Sequence, residues 1–172
     1  MVEIIAEVAN AHEGDPDRAI DIALRAVEAG AHAVKFQIYF GADLLTEDHP
    51  RFEHFCRQSF SRENWVKIIT TVKKSGAKVY ADVFGLNALD MALECDVDGL
   101  KIHSSDLSNT ILSQSCAMAG LPIFLAVGGS TLREITDAIR DIRGVNSQTC
   151  RLTNQRSVHV AHLLLQRLSQ SA

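Results

Sequence analysis

Short apolar runs alternate with longer amphipathic segments along most of the chain. Within the segments, apolar residues recur three or four positions apart, as Ile20, Leu24 and Val27 do, which is the spacing of a helix with one buried face. The runs between them are short and are predicted to be strands. The predicted strands are Val2–Val8, Ala33–Tyr39, Lys78–Phe84, Gly99–His103 and Pro122–Val127. Strands that alternate with helices predict a parallel sheet with right-handed crossovers.

Capping residues and glycines mark where the helices begin and end. Asp15 followed by Pro16 is typical of a helix start, because aspartate accepts from free backbone N–H groups and proline fits the first helical position. Ser61 is predicted to cap another helix, and Thr131 with Glu134 forms a capping box. Predicted helix ends are Gly30, Gly76, Gly120 and Gly144. Two further helices are predicted at about Ala88–Glu94 and Thr110–Met118. The segment Gly41–Phe60 is predicted to be a longer, charged connection.

Two architectures fit this alternation, a (β/α)8 (TIM) barrel and an open doubly wound sheet. Charged residues inside the strands favour the barrel. These residues are Glu7, Lys35, Asp82 and Lys101. Central strands of an open parallel sheet are buried on both faces and should be nearly all apolar. In a barrel, charged side chains can converge at the C-terminal mouth, where such enzymes place their chemistry. The sequence therefore predicts an α/β fold, a partial TIM barrel of five to six βα units, since a complete barrel needs about 250 residues.

The end of the chain differs from the rest. The stretch Gln148–Gln155 is polar and lacks the apolar core expected of another barrel unit. A strand is nevertheless predicted at Thr149–Thr153 and a helix at Val158–Leu168. We therefore expect two regions, a βα barrel portion over residues 1–144 and an atypical tail over residues 145–172.

Composition and charge narrow the class of protein. The 172 residues are 47% hydrophobic and 22% charged with a net charge of −4, which indicates a globular protein without the basic face of a nucleic-acid binder. No apolar stretch approaches the ~20 residues of a membrane span, and no signal peptide is visible. The four cysteines lack metal-binding spacing and are expected to be free thiols. We expect a cytoplasmic protein with small-molecule substrates and no nucleic-acid or membrane partner.

Two lysines within apolar strands point to an anionic ligand. Lys35 lies in the run V-K-F-Q, and Lys101 lies two strands later in L-K-I-H, shortly before Ser104. A lysine in such a run places its ammonium either in water, as a snorkelling edge lysine does, or against an anion. The repeated arrangement favours a phosphate or carboxylate at the mouth, because lysine is a common point-charge ligand for phosphate.

The loop after the first strand, Asn10–Asp15, is rich in hydrogen-bonding groups. Asp15 is explained as a helix cap, whereas Glu7 and Asn10 precede the cap and are candidates for a substrate site. His12 lies in the same loop, where an acid–base, ligand or structural role stays open.

Other histidines give weaker indications. His103 follows the fourth predicted strand, and the same roles stay open for it. His159 and His162 in the tail lack a third ligand or an acidic partner, so no metal site is predicted there.

Four motifs, in order along residues 3–144, resemble those of the N-acetylneuraminate (sialic acid) synthase family. E-V-A-N-A-H-E-G-D, which begins at Glu7, is similar to the family's E-I-G-x-N-H-x-G-D, but Ala11 separates the asparagine from the histidine here. K-F-Q at Lys35 matches a K-F-Q strand, and K-I-H-S-S-D-L-S-N at Lys101 matches K-I-x-S-x-D-x-x-N. The run Gly128–Ile135 resembles the S-T-G-M-x-T-L-x-E-I region. The chain thus resembles the N-terminal part of the family's barrel.

The resemblance implies an activity and roles for particular residues. The family condenses phosphoenolpyruvate with an N-acetylhexosamine, such as N-acetylmannosamine, to a nine-carbon 2-keto sugar acid in carbohydrate biosynthesis. By resemblance, Lys35, Lys101 and Ser104 would hold the phosphate and carboxylate of phosphoenolpyruvate. Glu7 would lie near the reacting carbons, and Asp106 would contact the amino sugar. Further candidate substrate-binding residues are Asn10, Gln37 and Asn109.

The resemblance also implies a divalent metal, manganese or magnesium, as a cofactor. Such an ion would act as a Lewis acid on the aldehyde oxygen of the sugar. The family's two metal-binding histidines lie on later strands, so the ligands are expected to be absent from this chain.

Two segments depart from the family pattern. A-V-G-G, which ends at Gly129, stands where the family has S-T-G-M and removes two hydroxyls. D-V-F at Asp82 stands where T-P-F is usual, so a carboxylate replaces a threonine that contacts phosphate. This carboxylate disfavours an anion unless it pairs with a lysine.

Three interpretations follow for the chain. The first is a truncated synthase-type chain with little or no activity. The second is a non-catalytic binding or interaction fragment, whose open edge strands would allow a homo-oligomer. The third is another phosphate-binding barrel enzyme, such as an aldolase.

Overall fold

The computed structural model describes residues 3–146 and 150–153. The chain divides into two compact units, Met1–Gly99 and Leu100–Ala172. Strands alternate with helices in both units, as the sequence predicts.

The first unit contains three parallel strands in the order β1–β2–β3. The strands are β1 (Ile5–Glu7), β2 (Ala33–Ile38) and β3 (Lys78–Val83). The helices are α1 (Pro16–Glu28), α2 (Gly41–Leu44), α3 (Phe52–Gln58), α4 (Arg62–Lys74) and α5 (Leu86–Glu94). Because β2 pairs with a strand on each side, it is not an edge strand.

The second unit also has parallel strands, and β5 pairs with β4 and with β6. The strands are β4 (Gly99–Ile102), which begins at the last residue of the first unit, β5 (Ile123–Ala126) and β6 (Cys150–Thr153). The helices are α6 (Thr110–Met118) and α7 (Leu132–Val145), and a short 3-10 turn covers Ser104–Asp106. The strand predicted at Thr149–Thr153 therefore corresponds to β6.

The two faces of β2 carry different chemistry, because successive side chains of a strand point to opposite faces. Val34, Phe36 and Ile38 are buried on one face, where the Phe36 ring meets Trp65 of α4 edge-on at 6.0 Å between centroids. Lys35 and Gln37 lie on the other face. Packing of α4 thus leaves the polar residues of β2 on the opposite side of the sheet.

The predicted helix caps are present. Asp15 accepts from the backbone N–H groups of Asp17 and Arg18, with Pro16 in the first helical position. Thr131 and Glu134 form both bonds of a capping box at the start of α7. The side chain of Ser61 accepts from Asn64 N–H at the start of α4. Gly30, Gly76 and Gly120 follow helices with positive φ angles, as expected for residues that end them. Gly144, also predicted to end a helix, instead lies within α7, which ends at Val145.

The stretch Gly41–Phe60, predicted to be a connection, instead contains helices α2 and α3. Neither helix has a side-chain cap, since Phe40 and Arg51 occupy the N-cap positions. Packing holds them together: a Cβ added to Gly41 would lie 2.6 Å from Cys56 Sγ, so only glycine fits there. The prediction failed because tertiary contact, rather than local sequence, stabilises these short helices.

Other sequence predictions concern the thiols and the tail. The described cysteines Cys56, Cys95 and Cys116 are free, and burial raises the pKa of the Cys116 thiol to about 12. The helix predicted at Val158–Leu168, with its two histidines, lies outside the described residues. Within the described residues, no helix is long and apolar enough to cross a membrane.

Candidate active site

Three charged side chains on three neighbouring strands form what we call the Lys35 cluster. Lys35 Nζ lies 2.6 Å from Glu7 Oε1 and 3.9 Å from Asp82 Oδ2. The Lys35 side chain is 10% exposed, that of Asp82 is fully buried, and that of Glu7 is 35% exposed. An ammonium held between two carboxylates is stable in this environment, because burying a lone charge is far more costly than burying a paired one.

Strand register explains why these residues meet. Glu7, the last residue of β1, is the register partner of Lys35, and Gln37 is the partner of Asp82. Register partners in neighbouring strands point to the same face of the sheet. Because the strands are parallel, Glu7, Lys35, Gln37 and Asp82 share the face opposite Trp65. A buried lysine in a non-edge strand does not fit a snorkelling side chain.

Asn10 is held in place by a tyrosine that the sequence analysis did not single out. The Tyr39 hydroxyl lies 3.0 Å from Asn10 Oδ1 and 3.4 Å from Gln58 Oε1. A hydroxyl has one proton to donate, and the shorter distance assigns it to Asn10. Burial raises the pKa of Tyr39 to about 12, so this donor is retained at neutral pH. The oxygen of the Asn10 amide is therefore already bonded to Tyr39.

His12 has a structural role in the loop between β1 and α1. Its side chain is buried, its ring lies 4.5 Å from that of Phe60, and its Nδ1 accepts from Gly14 N–H at 3.0 Å. Burial, together with the positive charge of Arg18, lowers the pKa of His12 below its ordinary value of 6.5. The loop therefore stabilises the neutral ring with its proton on Nε2.

Acidification is expected to destabilise the fold through His12. The unfolded chain gains a proton on this ring near pH 6.5, whereas the folded chain gains it only at lower pH, so stability falls as pH drops below 6.5. Urea titrations from pH 7.5 to 5 should show a steeper loss of unfolding free energy for wild type than for His12→Asn. The side-chain oxygen of the asparagine can still accept from Gly14 N–H. Parallel pH profiles for the two proteins would contradict this assignment.

In the second unit, Lys101 is a buried residue of β4. Its side chain is among the few buried charged groups of the described residues, and its register partner is Phe124 of β5. Its strand position repeats that of Lys35: both lysines have fully buried apolar neighbours on either side in the chain. Lys101 therefore lies in a buried, apolar strand, as the sequence analysis predicted.

The segment after β4 is a hydrogen-bonded network. Ser105 Oγ lies 3.0 Å from His103 Nδ1 and 3.3 Å from Asp106 Oδ2. Asn109 donates from Nδ2 to Asp106 Oδ1 at 3.3 Å, and its Oδ1 accepts from Leu112 N–H to cap α6. Asn109, predicted to bind substrate, thus has an evident structural function, and Asp106 is oriented by two neighbours. Ser104, at the start of the 3-10 turn, is half-buried.

The glycine pair after β5 leads into the capping box of α7. Gly129 has φ +81°, a conformation that favours glycine, and Ser130 N–H donates to Val127 O at 3.3 Å. The turn explains the glycine pair, and the helix cap explains the residues that follow it.

No metal-binding set occurs among the described residues. Within residues 3–146 and 150–153, no group of three or more His, Cys, Asp or Glu side chains is placed to hold an ion. The Lys35 cluster has two carboxylates, but an ammonium lies between them and would repel a cation. The described residues therefore do not fit the divalent metal implied by the resemblance, and no chemical step is assigned to it.

A family model described as the NeuB family matches residues 22–162. The chain belongs to the NeuB family. The match continues past Gly144 into the tail that the sequence analysis set apart as atypical, and it includes Lys35, Lys101, Ser104 and Asp106.

The relatives of this NeuB-family chain include a sugar-acid synthase. It is 28% identical over 155 residues to the N,N'-diacetyllegionaminic acid synthase of Legionella pneumophila, with 81% of this chain and 43% of that protein covered. It is 30% identical over 137 residues to an uncharacterized protein of Methanocaldococcus jannaschii, with 80% of this chain and 41% of that protein covered. The chain therefore spans less than half the length of these curated relatives.

A solved structure supports the fold class. The sialic acid synthetase of Leptospira borgpetersenii, in complex with citrate, aligns with a TM-score of 0.83 and 27% identity. The alignment covers 89% of this chain and 53% of that chain. The predicted fold class, part of a TIM barrel, is confirmed, and so is the resemblance to the sialic acid synthase family.

Glu7 and Asn10 lie before the first residue of the NeuB match. Their candidacy rests instead on the opening motif and on the contacts of Glu7 with Lys35 and of Asn10 with Tyr39. Tyr39 could have been suggested from the sequence, because it continues the alternation Lys35, Gln37, Tyr39 along the predicted strand Ala33–Tyr39, although β2 itself ends at Ile38.

Proposed function

We propose that this NeuB-family protein takes part in the condensation of phosphoenolpyruvate with an N-acetylhexosamine, such as N-acetylmannosamine, to a nine-carbon 2-keto sugar acid. The observation that carries the proposal is the Glu7–Lys35 pair, a carboxylate and a buried ammonium 2.6 Å apart on neighbouring strands. The names of the synthase relatives support the same reaction class. A cytoplasmic location is part of the proposal.

In the proposed reaction, the enol carbon of phosphoenolpyruvate attacks the aldehyde carbon of the open-chain sugar, and a C–C bond forms. The electron pair of the C=O bond moves to the aldehyde oxygen, which takes up a proton. Water then adds to the neighbouring cationic carbon, and loss of phosphate leaves the 2-keto acid. Glu7, which is part-exposed, is suited to accept the proton of that water. Lys35 stabilises the negative charge of the phosphate and carboxylate throughout.

The remaining predicted residues are assigned by resemblance. Lys101 and Ser104 are proposed to bind the same anionic groups. Asp106 is proposed to contact the amino sugar, and Asn10 and Gln37 are proposed to bind substrate oxygens. Asn109 is proposed to act mainly by holding Asp106, since its two side-chain atoms already bond within the segment.

Binding and turnover test the proposal separately. We expect phosphoenolpyruvate to bind the 172-residue polypeptide, as measured by titration calorimetry. The double variant Lys35→Met/Asp82→Asn should lose this binding by about tenfold or more, because the ammonium is gone. A matched control, Lys78→Met/Asp90→Asn, makes the same charge changes at exposed positions and should bind like wild type. Equal binding by both double variants would contradict the role of Lys35.

Turnover by the polypeptide alone is expected to be low, because by resemblance the metal-binding histidines lie on later strands. The assay would follow 2-keto sugar acid from phosphoenolpyruvate, N-acetylmannosamine and manganese. Robust product formation would contradict the proposed low activity while supporting the reaction. A lysine adduct trapped by borohydride would instead favour an aldolase.

A further inference from the structure

Tyr39 connects three segments of the first unit through one buried side chain. Its ring meets Phe55 of α3 edge-on at 5.5 Å between centroids, and it meets Phe84, which follows β3, at 6.2 Å. Its hydroxyl donates to Asn10 Oδ1, in the loop after β1, at 3.0 Å. The residue is only 3% exposed, so little water competes for this hydrogen bond. Tyr39 is therefore placed to fix the orientation of the Asn10 side chain.

The loop at Asn10 has an uncommon backbone conformation. Ala9, directly before Asn10, has φ +46°, in the left-handed region that residues other than glycine rarely adopt. Such strain persists only where surrounding contacts hold it, and it is frequent at ligand sites. The hydrogen bond from Tyr39 is one contact that holds this loop. The direction of the Asn10 side chain is thus fixed both by the backbone and by a buried donor.

The bonded oxygen of Asn10 determines which atoms suit a ligand. Asn10 lines an open recess together with Glu13, His54, Arg57 and Gln58, so a ligand can reach it. An amide has one oxygen that accepts and one NH2 group that donates. The ionised phosphate and carboxylate of phosphoenolpyruvate offer acceptor oxygens, which an amide NH2 group attracts and an amide oxygen repels. Holding the oxygen in place therefore favours this ligand.

We propose that Tyr39 is a positioning residue for phosphoenolpyruvate: by holding Asn10 Oδ1, it leaves the Asn10 NH2 group to donate to a phosphate or carboxylate oxygen. The loop begins beside the anion site, since Glu7 contacts Lys35 Nζ at 2.6 Å and Val8 N–H donates to Lys35 O at 3.0 Å. This inference rests on the proposed function, because it takes Lys35 as the anion-binding group. Tyr39 acts through Asn10 and does not itself touch the ligand.

Tyr39→Phe tests the inference, because it removes only the hydroxyl and keeps the ring against Phe55 and Phe84. Titration calorimetry should give an affinity for phosphoenolpyruvate about threefold to tenfold below that of wild type, the effect of one hydrogen bond. Asn10→Ala, which removes the amide, should give a loss at least as large. Wild-type affinity in a folded Tyr39→Phe variant would overturn the inference.

Tyr80→Phe is the matched control. Tyr80 is also 3% exposed, and its hydroxyl donates to Glu3 Oε1 at 2.9 Å. Because Glu3 precedes β1 and Asn10 follows it, the two tyrosine hydroxyls bond at opposite ends of this strand. Both Phe variants should unfold at lower urea concentrations than wild type, but Tyr80→Phe should keep the wild-type affinity for phosphoenolpyruvate. Equal weakening of binding by both variants would mean that any lost buried hydroxyl loosens the site, which contradicts positioning by Tyr39.

A double-mutant cycle shows whether Tyr39 acts through Asn10. Tyr39→Phe/Asn10→Ala should bind phosphoenolpyruvate as weakly as Asn10→Ala alone, because the hydroxyl then has no amide to position. A general loss of stability would not produce this coupling in affinity. Losses that multiply in the double variant would show that Tyr39 acts independently of Asn10, and the inference would be wrong.

The failures of the two proposals are distinguishable. If Tyr39→Phe binds phosphoenolpyruvate as wild type does, while Lys35→Met/Asp82→Asn loses this binding, the role of Tyr39 is wrong and Lys35 remains the anion site. If Lys35→Met/Asp82→Asn binds phosphoenolpyruvate as wild type does, the Lys35 site itself is wrong and both proposals fall. Weaker binding by Lys35→Met/Asp82→Asn and by Tyr39→Phe, with coupling to Asn10, supports both.

Discussion

Lys35→Met is expected to lower the free energy of unfolding by about 3–5 kcal/mol, the range found when one partner of a buried ion pair is removed. The substitution keeps the length and apolar stem of the side chain, so packing changes little. It removes the ammonium that Glu7 meets at 2.6 Å and that Asp82 meets at 3.9 Å. Two carboxylates then lie close together at a site where one of them is fully buried. Urea denaturation followed by circular dichroism measures the loss.

Two further variants show whether charge is the cause. Adding Asp82→Asn to Lys35→Met should restore about 1–3 kcal/mol, because the buried negative charge goes with its cation. Lys78→Met, at an exposed lysine 3.5 Å from Glu3, should change stability by no more than about 1 kcal/mol. If the double variant is less stable than Lys35→Met alone, Asp82 is held by contacts in which Lys35 has little part.

The Lys35 cluster shows how far the sequence leads toward the site. Alternation of strands and helices predicts a parallel sheet. In such a sheet, charged residues of neighbouring strands can lie on the same face. Lys35 and Asp82 are therefore foreseeable neighbours, and their pairing, which the sequence analysis left as a condition, is found in the structure. Register is not foreseeable in this way, because parallel strands are joined by long crossovers rather than by tight turns that would fix the pairing. Only the structure shows that Glu7, rather than another acidic residue, lies opposite Lys35.

The contacts around Asn10 could not be predicted from local pattern. Tyr39 and Gln58 are 19 residues apart, and Gln58 belongs to α3, a helix without a capping residue. The signals that identified α1, α4 and α7 are caps and apolar periodicity, which short helices lack. Long-range packing therefore positions this part of the candidate site. The sequence alone predicts only a charged connection in the region of α3.

The packing of α3 against the β1–α1 loop leads to the second large expected effect, at Gly14. This residue has φ +84°, and a Cβ added to it would overlap the backbone oxygen of Arg57 in α3. A backbone carbonyl cannot rotate away as a flexible side chain can, so the loop or the helix must shift. Gly14→Ala is expected to lower the free energy of unfolding by about 2–5 kcal/mol, from the strained backbone and the overpacking together.

Gly76→Ala separates those two causes. Gly76 has φ +85°, nearly the same conformation as Gly14, but a Cβ added there meets no atom within 4 Å. Alanine at this position should destabilise by only about 1–2 kcal/mol, the effect of the left-handed backbone. The difference between the two variants in urea denaturation then measures the contact between the loop and α3. Equal losses would mean that α3 does not press on the loop, and that Asn10 is not positioned through this helix. A larger loss for Gly14→Ala, with weaker phosphoenolpyruvate binding by the folded variant, would link α3 to the placement of Asn10.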